Sequence, residues 1–420
     1  MLQDALTVVA RDWTLLLPIG VVGVLSWSIW LIRKALSVGY RSTINLFRTT
    51  TSVVVPSFRE DPDVLERCLN SWLAQDPTEV IVVLDVEDTV AFARLTARGD
   101  DRLTVISFAH EGKRSALGVG IRAARGEVLI LCDSDTMWLP GLLSSVQMPF
   151  ADPAVGAVST RQNVYLPTSS VWRRVADWII DLRYLDYVPA TSRAGAVVCV
   201  SGRTAAYRRA AVLPVLENLE HEFFLGRRCI AGDDGRLTWL VLASGYTTVH
   251  QNSARAQSMF PSTFRAFCKQ RVRWSRNSYR CYLTAAWNGW LWKVPLVSQV
   301  TVLQILFTPV TMFAAVYYVV ASGFSDHGWH ALGLSLAWVL IGRAIRSMSH
   351  LRRRPSDVLM LPLVAVVIAM VALPIKTYAL FTMNKQGWLT RRADLTGGEG
   401  QTEASLTSGT ATAEAVALNA

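Results

Sequence analysis

Nineteen consecutive residues, Thr14 to Ile32 (TLLLPIGVVGVLSWSIWLI), carry no charge. As a helix they would run about 28 Å, enough to cross the hydrocarbon core of a bilayer. A second uncharged stretch, Val294 to Ala321, is long enough to cross with tilt. Trp329 to Ile345 is shorter and contains Arg343, whose side chain can snorkel to the interface. Leu359 to Phe381 is apolar but holds Pro362, Pro374 and Lys376. The N-terminal run is too long for a signal peptide, lacks a basic leader, and has no small-residue cleavage site before Arg33. The fold is therefore expected to be tied to a membrane at both ends.

The charge distribution agrees with that constraint. With 42 Lys+Arg against 32 Asp+Glu the net charge is +10. Twenty of the basic residues lie in four stretches without an acid: Arg33–Arg48, Arg255–Arg280, Arg343–Arg354 and Lys376–Arg392. The remaining 22 face all 32 acids, so the rest of the chain is acidic. Three of the blocks adjoin apolar runs, which points to lipid headgroups as partners and leaves nucleic acid without support. The positive-inside rule puts Arg33, Lys34, the Arg343–Arg354 block, Lys385, Arg391 and Arg392 in the cytoplasm. Both ends of the last apolar run then share a side, so a re-entrant hairpin broken at its prolines is expected, with a fourth crossing as the alternative. The six cysteines show no metal-binding spacing and read as reduced. From residue 393 the chain lacks aromatics and reads as a disordered tail. The expected organisation is 1–48, N-terminal span and basic linker; 49–254, cytoplasmic catalytic domain; 255–290, basic interfacial helix; 291–392, membrane region; 393–420, tail.

Between Ser52 and His250, short β-branched runs (Val53–Val55, Val80–Leu84, Leu103–Ser107, Val128–Leu131) alternate with helical patterns (Asp63–Gln75, Thr89–Arg98, Arg114–Ala124). Buried strands separated by helices predict a parallel α/β sheet, with ligands beyond the carboxyl ends of its strands. Those ends carry Pro56-Ser57-Phe58-Arg59-Glu60, Asp85, Glu111-Gly112-Lys113-Arg114 and Asp133-Ser134-Asp135. There is neither GxGxxG nor a Walker loop. Two carboxylates one residue apart can hold a hard divalent cation, although Asp-Ser-Asp also caps turns. Downstream, Gly232-Asp233-Asp234 precedes a helix expected to start near Arg236, and an N-cap is the alternative reading. Gln270-Arg271-Val272-Arg273-Trp274 lies in the largest basic block. A helix there would line up Arg265, Lys269, Arg276 and Arg280 for anionic lipid, with Phe264, Phe267 and Trp274 on another face. Residues Ser169–Tyr187 have helical apolar spacing and predict a helix that lies at the bilayer or packs on the sheet.

The succession PSFRE, GKR, DSD, SGR-TAAYRR, FLG, GDD and QRVRW resembles processive family 2 glycosyltransferases of the cellulose and chitin synthase superfamily, above all the bacterial hyaluronan synthases. The resemblance runs over residues 50–392 and includes Pro374-Ile-Lys-Thr-Tyr and Gly387-Trp-Leu-Thr-Arg-Arg. It implies a nucleotide-sugar-binding, GT-A-type, mostly parallel sheet with helices on both faces, joined to an α-helical transmembrane region. It implies that Phe58 stacks on uracil, that Asp85 and Asp133 contact the nucleotide, and that Asp135 ligates Mg2+ or Mn2+. Lys113 and Arg273 would offset charge on departing UDP, and Gln270 would bond nearby. Asp234 would be the general base, with Asp233, Ser201, Arg203 and Trp274 at the acceptor. The implied partners are a UDP-sugar, the growing polysaccharide and membrane lipid, and the implied location is the cell membrane. The enzymatic rival is a transferase that charges a lipid carrier; the non-enzymatic one is a nucleotide-sugar sensor or transporter.

Four departures stand out. The hyaluronan synthases pair aspartates where this chain has Leu84-Asp85, which leaves one nucleotide contact to Glu87 or Asp88. They read Cys-Ser-Gly-Pro where it has Val200-Ser201-Gly202-Arg203, place Arg directly after GDD where it has Gly235, and carry two N-terminal spans where it has one. Arg203 would either meet a sugar carboxylate or cap a helix over Ala205–Ala211.

Overall fold

The computed structural model describes residues 21–109, 111–324 and 328–387. Helix α1 (Val21–Val38) is the described part of the N-terminal apolar run. Thr14–Gly20, Trp388, Arg391, Arg392 and the expected tail lie outside the described residues.

Strands β1 (Thr51–Ser57), β2 (Glu79–Asp85) and β4 (Val128–Cys132) are buried along their whole length, and β3 (Leu103–Phe108) forms the edge. Period-two alternation sends Val53 and Val55 into one apolar cluster and Val54 into the other, so each face needs a cover of helices. Helix α2 (Pro62–Leu73) and α3 (Thr89–Thr96) cover one face through Leu65, Leu69, Trp72 and Leu95. The start of α2 is set by Asp61, whose carboxylate accepts from Asp63 N at 2.9 Å, with Pro62 where no N–H is needed. Helix α4 (Lys113–Ala123) and α5 (Val171–Leu182) lie on the other face, through Leu117, Ile121 and Trp178.

The sheet has eight strands, not four, in the order β3-β2-β1-β4-β7-β6-β10-β5. The added members are β5 (Thr136–Trp138), β6 (Val155–Val164), β7 (Thr204–Arg208) and β10 (Thr247–Ser258); β8 (Phe223–Phe224) and β9 (Arg227–Arg228) form a separate hairpin. Strand β7 runs antiparallel to β4 and β6, and β5 runs antiparallel to β10, so the sheet is mixed but mostly parallel. Strand β7 corrects the helix expected over Ala205–Ala211. Alanine favours helices in isolation, but Thr204–Tyr207 fills a fully buried slot between two strands, and the slot wins. Only Arg209–Val212 is helical there.

Helix α6 (Asp233–Ala243) begins three residues before the expected start, with Gly232 at φ +77° as its cap. The QRVRW segment is inside α7 (Phe264–Trp287), capped by Thr263. Half of its basic stripe, Arg276 and Arg280, is engaged within the protein, whereas Arg265 is exposed. Arg276 donates to Thr382 Oγ1 at 3.0 Å and stacks on Tyr378, and Arg280 is buried against Met383 and Asn277.

The C-terminal helices are α8 (Leu296–Leu306), α9 (Thr308–Gly323), α10 (Gly328–Arg346) and, last, α11 (Ala372–Phe381). Among the described residues, Gly328–Arg346 and Pro355–Phe381 are long and apolar enough to cross a membrane. The break falls elsewhere than expected. Pro355–Phe381 is one helical rod, whereas Leu296–Leu306 and Thr308–Tyr317 meet at 59°. Within it Pro362 stands where a 3-10 stretch (Pro355–Met360) passes into α-helix (Leu361–Val366), and a π-turn at Val367–Val371 takes up the geometry just before Pro374.

Basic residues assigned to headgroups are largely spent inside the protein. Arg33 donates to Gln304 Oε1 at 2.6 Å and Lys34 to Asp186 Oδ1 at 2.6 Å. Arg354 pairs with Asp177 at 2.9 Å, and Arg353 pairs with Asp181. His350, fully buried, bonds Asp181 through Nδ1 at 2.8 Å and Asp357 through Nε2 at 3.0 Å, with its ring 4.6 Å from that of Trp178. Helix α5 is thus fastened between the sheet and the C-terminal helices, which is the packing alternative for Ser169–Tyr187.

Candidate active site

Each strand end delivers one part of the site. Gly112, at φ +99°, turns the chain so that Lys113 is the first residue of α4. Its ammonium bonds Asp133 Oδ1 at 2.8 Å, beyond β4, and Asp233 Oδ2 at 3.1 Å, in the first turn of α6. Burial opposes the charge on Lys113, but Asp133, Asp233 and Asp234 together hold its pKa above the ordinary lysine value. One cation therefore joins the Asp-Ser-Asp loop to the paired aspartates of the GDD segment, 100 residues downstream.

Asp234 is half-buried. Its carboxylate accepts from Gly202 N at 3.4 Å and Gly235 N at 2.8 Å, and the Cys199 thiol lies 3.9 Å away. Burial and then the neighbouring Asp233 raise its pKa, with Lys113 partly offsetting them. A Cβ on Gly202 would lie 3.3 Å from both Asp233 Oδ2 and Asp234 Cβ, so glycine is what lets the Ser201-Gly202-Arg203 turn rest on the two carboxylates. Gly202→Ala is expected to displace Asp234 by a few tenths of an ångström and lower the sugar-transfer rate by about tenfold. An unchanged rate in a donor-turnover assay would show that this close approach is dispensable.

The frame beneath is charged and paired. Arg114, buried, donates to Glu222 at 2.6 Å and to Gly232 O at 3.2 Å, and Arg236 meets the same Glu222 at 3.1 Å. Gly235 gives α6 room against α7, since a Cβ there would stand 3.1 Å from Cys281 Sγ. The Gln386 amide bonds Ile230 N at 3.1 Å and Arg228 O at 3.0 Å, tying the loop before Gly232 to the segment after α11.

Beyond β1 and β2 the side chains are already engaged with one another. Phe58 is only 5% exposed, belongs to the core cluster, and has the Arg59 guanidinium 5.1 Å above its ring. A base could stack on it only after Arg59 moves. Glu87, offered as a substitute contact, pairs with Arg59 at 2.7 Å. Asp88 accepts from Arg59 N at 2.8 Å, and burial, against that hydrogen bond, pushes its pKa up to about 6. Asp85 is buried and accepts from Glu87 N at 3.0 Å.

At the other end, the rings of Phe260 and Trp274 meet edge to face with centroids 6.1 Å apart. The Arg203 guanidinium lies 4.4 Å from the Phe260 centroid and 4.6 Å from that of Trp274, and Arg271 lies 4.8 Å from both Phe267 and Trp274. Arg203 therefore caps no helix. Gln270 is buried with its Oε1 unbonded, and Arg273 is half-buried nearby on the helix. The resemblance assigns roles to Gln270, Arg273 and Trp274 and none to Arg271.

The family model described as "Glycosyltransferase like family 2" matches residues 48–277, more than half of the chain and every motif from PSFRE to QRVRW. The chain belongs to this family. An N-acetylglucosaminyltransferase of Rhizobium leguminosarum bv. viciae is 30% identical over 355 residues, covering 81% of each chain. The hyaluronan synthase of Streptococcus pyogenes serotype M3 is 25% identical over 385 residues, covering 89% of this chain and 91% of its own. The narrower resemblance to hyaluronan synthases is thus widened, since the N-acetylglucosaminyltransferase has the higher identity. A mannosyltransferase from Pyrobaculum calidifontis, solved with GDP-Man and Mn2+, shares the fold with a TM-score of 0.54 at 20% identity, covering 85% of this chain and 95% of that one. The family 2 chain is accordingly an enzyme with a GT-A-like sheet.

The donor set beyond β4 suits a hard cation, because Asp133 and Asp135 offer only carboxylate oxygens and both are partly accessible. A second cluster, Asp177, Asp181 and His350, shares no residue with it. Both nitrogens of His350 are already engaged by carboxylates, and Arg353 and Arg354 neutralise the cluster, so it reads as an ion-pair lock.

Proposed function

We propose that this family 2 enzyme is a processive, inverting synthase that adds sugars from a UDP-sugar to a polysaccharide and passes the chain across the cell membrane. The observation that carries the reading is the Lys113 bridge. It sets a cation between the loop suited to donor and metal and the carboxylate pair suited to the acceptor. Asp133 and Asp135 would hold Mg2+ or Mn2+, which supplies charge neutralisation for the diphosphate. Lys113 and Arg273 would add positive charge where the leaving group develops it. Asp85 would contact the base, and Phe58 would do so once Arg59 moves aside.

Asp234, with its raised pKa and a backbone N–H to orient it, would take the proton of the acceptor hydroxyl. A single base suffices for in-line displacement with inversion, because the diphosphate leaves without needing a proton. Trp274 offers a ring for the acceptor sugar, with Ser201, Arg203, Asp233 and Gln270 around it. Support for polymerisation comes from the hyaluronan synthase relative and from the apolar helices that follow the site.

The test is incubation of the purified full chain with individual and paired UDP-sugars plus Mg2+ or Mn2+, followed by sizing and digestion of the product. Release of UDP with a high-molecular-mass product is expected, chelation by EDTA should stop it, and added Mn2+ or Mg2+ should restore it. Absence of UDP release, or a product limited to one sugar on a lipid, would overturn the reading. The pH profile gives a second check. The base must be ionised, so the rate falls as pH drops through the raised pKa of Asp234, and the acid limb should lie above the ordinary carboxylate range. Asp233→Asn removes the neighbouring negative charge, so the midpoint of that limb should move to lower pH; a stationary midpoint would assign the limb to another group.

A further inference from the structure

Arg59 is held at two points where β1 gives way to α2. Its backbone N–H donates to Asp88 Oδ2 at 2.8 Å, and its guanidinium reaches Glu87 Oε2 through Nε at 3.2 Å and Nη2 at 2.7 Å. Both acids are delivered by the loop after β2. Asp85 folds that loop by accepting Glu87 N on its carboxylate at 3.0 Å and Asp88 N on its carbonyl at 2.9 Å. The backbone of Arg59 is left-handed, at φ +49°. Glycine or asparagine takes such a position at little cost, whereas a longer side chain crowds the following carbonyl through its Cβ. The strain stands at a strand end where the ligand is expected, the kind of place at which strained backbone serves function. In this conformation the guanidinium lies 5.1 Å from the Phe58 ring centroid.

That placement puts a planar cation over the ring on which the resemblance lays uracil. A flat guanidinium stacks on an aromatic face much as a base does, so cation and base exclude each other there. The hold is weak enough to release. The Arg59 and Glu87 side chains are 35% and 54% exposed, in contrast to Arg114 and Glu222 in the frame beneath Asp234, at 4% and 9%. An exposed ion pair and one cation–π contact bias a side chain without locking it. A ligand that binds only the open form has its affinity reduced by the fraction of chains that are open.

Resting on the assignment of Phe58 to the donor base, we infer that Arg59 is a built-in competitor of the nucleotide: held shut by Glu87, it covers Phe58 in the free enzyme, and the donor enters by displacing it. Glu87 then acts on the donor through Arg59, not as the nucleotide contact that its place after Leu84-Asp85 suggested. The sign of the effect sets this role apart. Removing a cation near a diphosphate ordinarily weakens binding; removing this one strengthens it.

Calorimetry of UDP binding to the purified full chain with Mg2+ is the test. Arg59→Asn, which admits the left-handed backbone but lacks the guanidinium, should tighten UDP binding by about two- to tenfold. Glu87→Gln should tighten it by a smaller factor in the parent chain and leave it unchanged in the Arg59→Asn chain, because both substitutions act on one switch. Equal or weaker UDP affinity in Arg59→Asn would make Arg59 a bystander or a ligand of the nucleotide and would overturn the inference. So would a Glu87→Gln gain of the same size in both chains, which is plain relief of repulsion between Glu87 and the phosphates. Phe58→Leu, which keeps an apolar side chain but loses the ring, checks the underlying assignment: in the Arg59→Asn chain it should weaken UDP binding. Unchanged affinity there would remove the base from Phe58 and the inference with it. Weakening by Phe58→Leu beside an untightened Arg59→Asn would remove the cover alone.

Discussion

Asp234→Asn is expected to lower polymer formation by about 10²–10⁴-fold, the usual contribution of a positioned general base, while UDP binding changes little. The substitution keeps the shape of the side chain and its place at the start of α6, so one of Gly202 N and Gly235 N still meets an oxygen acceptor and the Lys113–Asp233 ion pair remains. What disappears is the capacity to take a proton. Incorporation of labelled sugar and calorimetry of UDP binding together make the check. If binding and incorporation fall in parallel, Asp234 acts through the architecture of the site, not as the base. Retained incorporation would move the proton transfer to another group.

The second large effect concerns the fastening of α5. Asp181 is about 1% exposed and meets His350 Nδ1, the Arg353 guanidinium and, at 4.0 Å, Arg161. Asp181→Ala leaves a buried histidine and two arginines without this carboxylate, a change that typically costs about 3–5 kcal/mol. A clear drop in thermal unfolding temperature of the detergent-solubilised protein is expected. Asp181→Asn, which keeps an acceptor for His350, should lose less. An unchanged unfolding temperature for the alanine variant would show that the network stabilises nothing and that α5 is held by its apolar face alone.

The parts of the fold that were legible from sequence are those whose residues repeat a simple physical rule. Val53–Val55, Val80–Leu84 and Val128–Leu131 are β-branched runs that only a strand buried on both faces explains, and they are β1, β2 and β4. Strand β10 is not legible because its buried residues include Thr248, His250 and Gln251, polar groups whose side-chain partners Val197 O, Ser159 O and Thr43 O come within reach only after folding. Strand β7 escaped because local helix preference and tertiary slot disagree over Ala205 and Ala206. The site shows a similar division. Lys113, Asp133, Asp233 and Asp234 could be named from their motifs, but no spacing announces that one ammonium links residues 133 and 233. The basic blocks were read as lipid-facing because a sequence displays cations and hides their partners; Asp177, Asp181 and Asp186 lie more than 140 residues from the cations they neutralise.

The amide of Gln386 gives the loop before Asp234 a second owner. Ile230 N and Arg228 O, four and six residues before Asp234, both end on a side chain that lies just past the last apolar helix. Sliding or tilting that helix by more than the slack of a hydrogen bond must either break both bonds or drag the loop along. The last apolar helix and the loop that leads to Asp234 are in this sense hinged on one pin.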